Sequence, residues 1–134
     1  MQLSKHFHLS EFLKSETAAN LGIENIPTFP DCLRLMQLSL FMEDVRLELN
    51  NSAIIITSGF RNFALNKAVG GSSSSDHMRG LACDFISKSN LTPSQCFEKI
   101  KKSYLNFDQM ILYNSFIHIG LGPQMRRECL DFRK

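Results

Sequence analysis

The sequence predicts an α+β fold: one small domain with a largely antiparallel sheet and helices packed on it. Three observations carry this. Leu35, Leu38, Met42, Val45 and Leu49 recur at three- and four-residue spacings, the stripe of a core-facing helix. Ala53-Ile54-Ile55-Ile56-Thr57 is a β-branched run of the kind that forms a buried strand. Phe107 to Tyr113 and Phe116 to Leu121 are two strand-like runs joined by Asn114-Ser115, which reads as a hairpin. With 134 residues the chain is expected to form a single domain, 1–134, able to bury a core without disulfide staples.

The elements follow in order. Leu9-Ser10-Glu11-Phe12 predicts a short helix with Ser10 as N-cap, and Thr17 to Leu21 adds another turn ended by Gly22. Ile26-Pro27-Thr28-Phe29-Pro30 is a rigid connection that cannot be helix interior. Asp31 follows as the expected N-cap of the long helix to Leu49, which Asn50-Asn51 ends. After the Ala53–Thr57 strand, Ser58-Gly59-Phe60-Arg61 leads out, and Asn62 to Ala68 forms a short helix. Val69 to Ser75 is a Gly/Ser loop that runs straight into His77, which reads as the rim of a site rather than a linker. Leu81 to Ser87 is a second strand. Thr92-Pro93 opens an amphipathic helix to Tyr104, with proline in the first turn.

Composition excludes more than it identifies. The chain is 43% hydrophobic and 21% charged, ordinary for a globular domain, and its net charge of +2 is too small to imply a nucleic-acid partner. Cys32, Cys83, Cys96 and Cys129 include no C-x-x-C pair, so reduced, isolated thiols are expected. No apolar run is long enough for a membrane span, and Met1 to Ser10 does not read as a signal peptide. Synthesis in the cytoplasm and a monomeric state are the expectation.

One segment carries the chemistry. Ser75 to Asp84 reads S-x-H-x-x-G-x-A-x-D, with an imidazole and a carboxylate seven residues apart and small residues between. Asp84 interrupts the apolar strand Ala82-Cys83-Asp84-Phe85-Ile86, where a buried carboxylate is costly unless paired with a cation or metal. His118 interrupts Phe116-Ile117-His118-Ile119 in the same way. His77, Asp84 and His118 are therefore expected to converge on one ion. Two imidazoles and one carboxylate with an open position form the ligand set of a hydrolytic zinc centre. His6 and His8 lack such company and read as surface residues.

The residues resemble a family at this point. S-x-H-x-x-G-x-A-x-D followed by an Ile-His-hydrophobic strand is similar to the M15 peptidases, which are zinc D-Ala-D-Ala carboxypeptidases and related murein endopeptidases of the Hedgehog/DD-peptidase fold. Ile56-Thr57-Ser58-Gly59-Phe60-Arg61 and Ala64 to Ser72 resemble the S-G-Y-R and L-N-x-A-V-G-G-S segments of the small phage-type members. Leu9-Ser10-Glu11-Phe12 resembles their L-S-E-F opening, and Phe107 to Ile111 their F-D-Q strand. The likeness spans about residues 9 to 127. It implies zinc on His77, Asp84 and His118, with Arg61 as the cation for a substrate carboxylate or developing oxyanion. It also implies that Ser75 hydrogen-bonds beside the ligands. The implied substrate is a peptidoglycan stem peptide, cut by a carboxypeptidase or endopeptidase. A protein without a signal peptide would then reach the wall after release, as a phage or prophage lysis enzyme does.

The chain departs from the pattern at one position. Many relatives carry an acid three residues before the last histidine ligand, as general base, and this chain has Ser115 there. Asp108 is the nearest acid in sequence. A three-residue hairpin loop would put Asp108 and Met110 on the face of His118; a two-residue loop would put Gln109 there as a substrate contact. The departure motivates a rival reading, a catalytically impaired zinc-bearing wall-binding or virion protein.

Overall fold

Two short helices, α1 (Leu9–Leu13) and α2 (Glu16–Leu21), open the computed structural model, which describes residues 1–134. The N-cap of α1 is His8 rather than Ser10: its imidazole accepts the Ser10 N–H, and the Glu11 carboxylate accepts the His8 N–H. Helix α2 ends at Gly22 in the left-handed conformation, φ +66°, where glycine carries no Cβ penalty.

The long helix α3 spans Phe29–Glu48, two residues earlier than the proline pattern suggests. Thr28 caps it, and Asp31 is the third helical residue, closing a reciprocal capping box. Pro30 therefore lies in the first turn, where its missing N–H costs nothing. The stripe Leu35, Leu38, Met42 and Val45 is buried, as the spacing requires. Each such side chain removed from water contributes about 1.5–3 kcal/mol.

Strand β1 (Ile54–Ser58), helix α4 (Phe63–Ala68), a 3-10 turn at Asp76–Arg79, strand β2 (Ala82–Ser87) and helix α5 (Pro93–Lys101) follow. The hairpin is β3 (Gln109–Leu112) and β4 (Ile117–Gly120), closed by a Tyr113 N–H bond to the Phe116 carbonyl across Asn114-Ser115. A fifth strand, β5 (Glu128–Asp131), had no clear sequence signal: it is short, half exposed and charged at both ends.

The sheet order is β1-β2-β4-β3-β5. All pairings are antiparallel except β3 with β5, so the sheet is mixed but largely antiparallel. One face presents Ile56, Phe85, Ile117, Ile119, Met110 and Leu112 to the core shared with α3 and α5. The other face is polar at its centre and carries the site. The four cysteines are free thiols. No helix is long and apolar enough to cross a membrane.

Candidate metal centre

Strand registry builds the site. Across the polar face, Ser58 lies opposite Asp84, Asp84 opposite His118, and His118 opposite Ile111. These four residues form one row running perpendicular to the strands, over β1, β2, β4 and β3. The row depends on a bulge in β1 between Ile56 and Ser58, which keeps Ile56 in the core while turning Ser58 to the polar face.

His77 reaches this row from the 3-10 turn. Ser75 caps that turn, its hydroxyl accepting the His77 backbone N–H at 3.2 Å. Gly80 ends it at φ +74°, where an added Cβ would stand 2.9 Å from the Asp31 carbonyl oxygen. His77 Nδ1 lies 2.6 Å from the Gly59 carbonyl oxygen. A carbonyl can only accept, so Nδ1 carries the proton and Nε2 keeps its lone pair for the site.

The donor atoms converge. His118 Nδ1 is 2.9 Å and His77 Nε2 is 3.3 Å from Asp84 Oδ1, and the two nitrogens are 3.2 Å apart. Donors on one tetrahedral zinc at about 2.0–2.1 Å would lie roughly 3.3–3.4 Å from one another. The two imidazoles and the carboxylate thus fit a zinc ion in ligand type and spacing, and the His77 tautomer leaves its Nε2 free to bind. Burial opposes ionisation of Asp84, but the adjacent His118 and His77 rings outweigh it and hold the carboxyl well below the usual range.

Arg61 stands beside the cluster. Its backbone N–H donates to the His77 carbonyl, its Nε to Ser58 Oγ at 3.3 Å, and its Nη1 to Asn66 Oδ1 at 3.0 Å. These side-chain partners are neutral, so the half-buried guanidinium keeps charge available for a ligand. Burial pulls its pKa down, and Asp84 pulls it back up. Asn66 is buried at 3% exposure and also donates to the Ser72 carbonyl, which pins Arg61 to the Gly/Ser loop.

A groove of about 620 Å³ opens over the cluster, and Tyr113 and Gln109 line it on the β3 side. In sequence Tyr113 reads as the last residue of the first hairpin run, Phe107 to Tyr113, with no assigned role at the site. Its phenol is pushed up first by burial and then by Asp84, against the pull of Arg61, which places it in the field of the cluster.

Asp108 is not brought to the cluster. The hairpin closes with the two-residue loop, so Gln109 and Ile111 share the face of His118. Asp108 is instead gripped by Arg126, whose Nε and Nη2 donate to its two carboxylate oxygens at 2.8 and 3.0 Å. These hydrogen bonds hold its pKa down. The general-base expectation for Asp108 therefore meets a carboxylate already committed to an ion pair. Ser115 is exposed at the hairpin tip, away from the ligand atoms, and lines an apolar cavity with Phe85 and Cys96. His6 pairs with Glu43 on the far side of the molecule, and His8 caps α1.

The family model for Peptidase M15 matches residues 5–120. The chain belongs to the peptidase M15 family. No curated protein matches it significantly. This M15 peptidase has its convergent group of His77, Asp84 and His118 wholly within the matched stretch, and that group could hold the metal of a metallopeptidase. Arg61, Asn66 and Tyr113 lie within it too, whereas Arg126 and β5 lie beyond it.

Proposed function

We propose that the protein is a zinc peptidase that hydrolyses peptide bonds of bacterial peptidoglycan stem peptides. The observation that carries this is the convergence of His77 Nε2, His118 Nδ1 and Asp84 Oδ1 under an open groove, within an M15 peptidase sequence. When bound there, zinc supplies an acidified water and a Lewis acid for the scissile carbonyl.

The residues of the chain do the rest. The Gly59 carbonyl fixes the His77 tautomer, and Ser75 fixes its backbone. Asp84 balances part of the positive charge in a poorly solvated place. The Arg61 fork, oriented by Ser58 and Asn66, donates hydrogen bonds to the oxygen on which negative charge develops, where each such donor contributes about 10²–10³ in rate. The Tyr113 phenol donates from the opposite wall. Gln109 contacts the peptide backbone of the substrate. The likeness to small phage-type members supports a lysis role, with the wall peptide as the partner.

A second reading is favoured by one specific observation. Asp76, the carboxylate in the main groove outside the ligand set, is paired with Arg79, and Asp108 is paired with Arg126. With no free acid beside the ligands in that groove, a zinc-bearing wall-binding protein of low turnover is the alternative. Incubating zinc-loaded protein with purified muropeptides and weighing the products separates the two. New peptide fragments that vanish with His118→Ala support the peptidase. Binding without fragments supports the alternative.

A further inference from the structure

Gln109 and Tyr113, which line the groove on the β3 side, are both held by residues of one neighbouring segment. Strand β5 runs parallel to β3, with Gln109 opposite Glu128, Met110 opposite Cys129 and Ile111 opposite Leu130. Paired residues point to the same side of a sheet, and sides alternate along each strand. Met110 and Cys129 pack on the core, so Gln109 and Glu128 share the groove side. The ladder continues past the strand: the Phe132 N–H donates to the Leu112 carbonyl at 2.9 Å, which sets Phe132 beside Tyr113. All of β5 lies beyond the residues 5–120 that carry the family match.

We propose, resting on the peptidase reading for its catalytic consequence, that Glu128 and Phe132 are positioning residues: Glu128 turns the Gln109 amide so that it offers an acceptor to a substrate backbone N–H, and Phe132 holds the Tyr113 phenol where it donates across the groove. At the first end, Gln109 Nε2 donates to Glu128 Oε1 at 2.6 Å, with Arg126 Nη1 a more distant neighbour of the same oxygen at 3.9 Å. A carboxylate only accepts, so the amide nitrogen is the atom facing Glu128. The amide oxygen of Gln109 has no partner in the chain and is not a buried, unsatisfied atom, so it stays open to a ligand. At the other end, Tyr113 stands one residue past β3, where the ladder of that strand no longer fixes it. Phe116 stacks on its ring at 4.6 Å and 14°, and Phe132 meets it at 5.9 Å and 80°. Phe132 is half exposed and adds little to the core, so its contact with Tyr113 is its main packing. The two supports serve different stages. An acceptor for a peptide N–H binds substrate and transition state alike, so its loss appears in KM. A donor to developing charge acts in the transition state, so its loss appears in kcat.

The test compares Glu128→Ala, Glu128→Gln, Phe132→Ala and Phe132→Tyr with wild type, using zinc-loaded protein and purified muropeptides. Both side chains are half exposed, so all four variants should melt near wild type. Glu128→Ala frees a long side chain that binding must then immobilise, and raises KM about 2- to 10-fold at unchanged kcat. Glu128→Gln, whose amide oxygen accepts the same bond, restores KM. Phe132→Ala removes one aromatic pair and lowers kcat about 2- to 10-fold at unchanged KM. Phe132→Tyr keeps the ring and restores kcat. Wild-type constants in both alanine variants, or KM and kcat moving together with the melting point, would overturn the proposal. Side-chain NMR of the substrate-free protein is read in parallel. The Gln109 amide signals should move toward those of a free amide in Glu128→Ala, and the Tyr113 ring signals toward those of the fully exposed Tyr104 in Phe132→Ala. If these signals move but wild type cuts nothing, the positioning stands and the peptidase reading alone fails. If they do not move, the positioning is refuted whatever the activity.

Discussion

Replacing Gly71 by alanine perturbs the site without touching a ligand. An added Cβ would lie 2.1 Å from Asn66 Oδ1 and 2.7 Å from Arg61 Nη1, where ordinary contacts begin at 3.4 Å. The Asn66 amide must then move by more than about 1 Å, because a packed interior has no slack to absorb the overlap. Asn66 is buried and holds two partners, accepting from Arg61 at 3.0 Å and donating to the Ser72 carbonyl at 2.9 Å. Losing both and leaving a buried amide unsatisfied costs about 2–4 kcal/mol. For a domain of this size that lowers Tm by roughly 8–15 °C. A displacement of Arg61 by about 1 Å reduces turnover by about 10²-fold. Zinc content should stay at one per chain, since Gly71 contacts none of the three ligands. Gly70→Ala is the control: no atom lies within 4 Å of its added Cβ, and only its φ of +73° is penalised, by about 1–2 kcal/mol. Thermal melts, zinc analysis and muropeptide turnover on the two variants give the answer. A Gly71→Ala protein with the melting point and rate of wild type would refute the claim that Asn66 orients Arg61.

Four further outcomes follow from the same geometry. Arg61→Lys keeps zinc and fold but loses about 10²-fold or more in turnover, because an ammonium cannot reproduce a two-donor fork; steady-state kinetics with zinc analysis checks this. Asp108→Asn leaves the rate within a few-fold of wild type, measured at a temperature where both proteins are folded, because Asp108 serves Arg126 rather than the substrate; a fall of two to four orders of magnitude would restore it as general base. The same variant reports on pH. The pKa of Asp108 is lower folded than its unfolded value of about 3.9, so its contribution is present above roughly pH 4 and lost as pH falls further. Melts of Asp108→Asn should therefore lose part of the acid-side decline seen in wild type. Ser115→Glu does not raise the rate, since the hairpin tip is remote from the ligand atoms, and a gain in turnover would show that the tip folds inward when substrate binds.

The sequence made the site more legible than its surroundings, for physical reasons. Asp84 and His118 stand out because each breaks an apolar strand, and registry places them opposite one another. His77 was reachable because small residues and Gly80 surround it. The base was not legible, because it turned on a one-residue choice of hairpin loop, and a one-residue slip exchanges every side chain between faces. The two-residue loop carried Gln109 to the site and left Asp108 to Arg126. That arginine comes from a segment whose sequence predicts nothing regular, just before the short, half-exposed β5. Asn66 sat within the quoted L-N-x-A likeness but had no assigned task, since its role appears only when α4 and the Gly/Ser loop fold together. The start of α3 was misplaced for a simpler reason. Thr28 and Asp31 are both good caps, and the reciprocal box they form outranks the reading of Asp31 alone.

The claim on which all else depends is that His77, Asp84 and His118 hold one zinc ion. Anomalous diffraction at the zinc edge, from crystals grown with equimolar zinc, tests it in one measurement. The account predicts a single strong peak about 2.0–2.2 Å from His77 Nε2, His118 Nδ1 and an Asp84 carboxylate oxygen. A peak at the exposed His6–Glu43 pair with none at the three residues would contradict it.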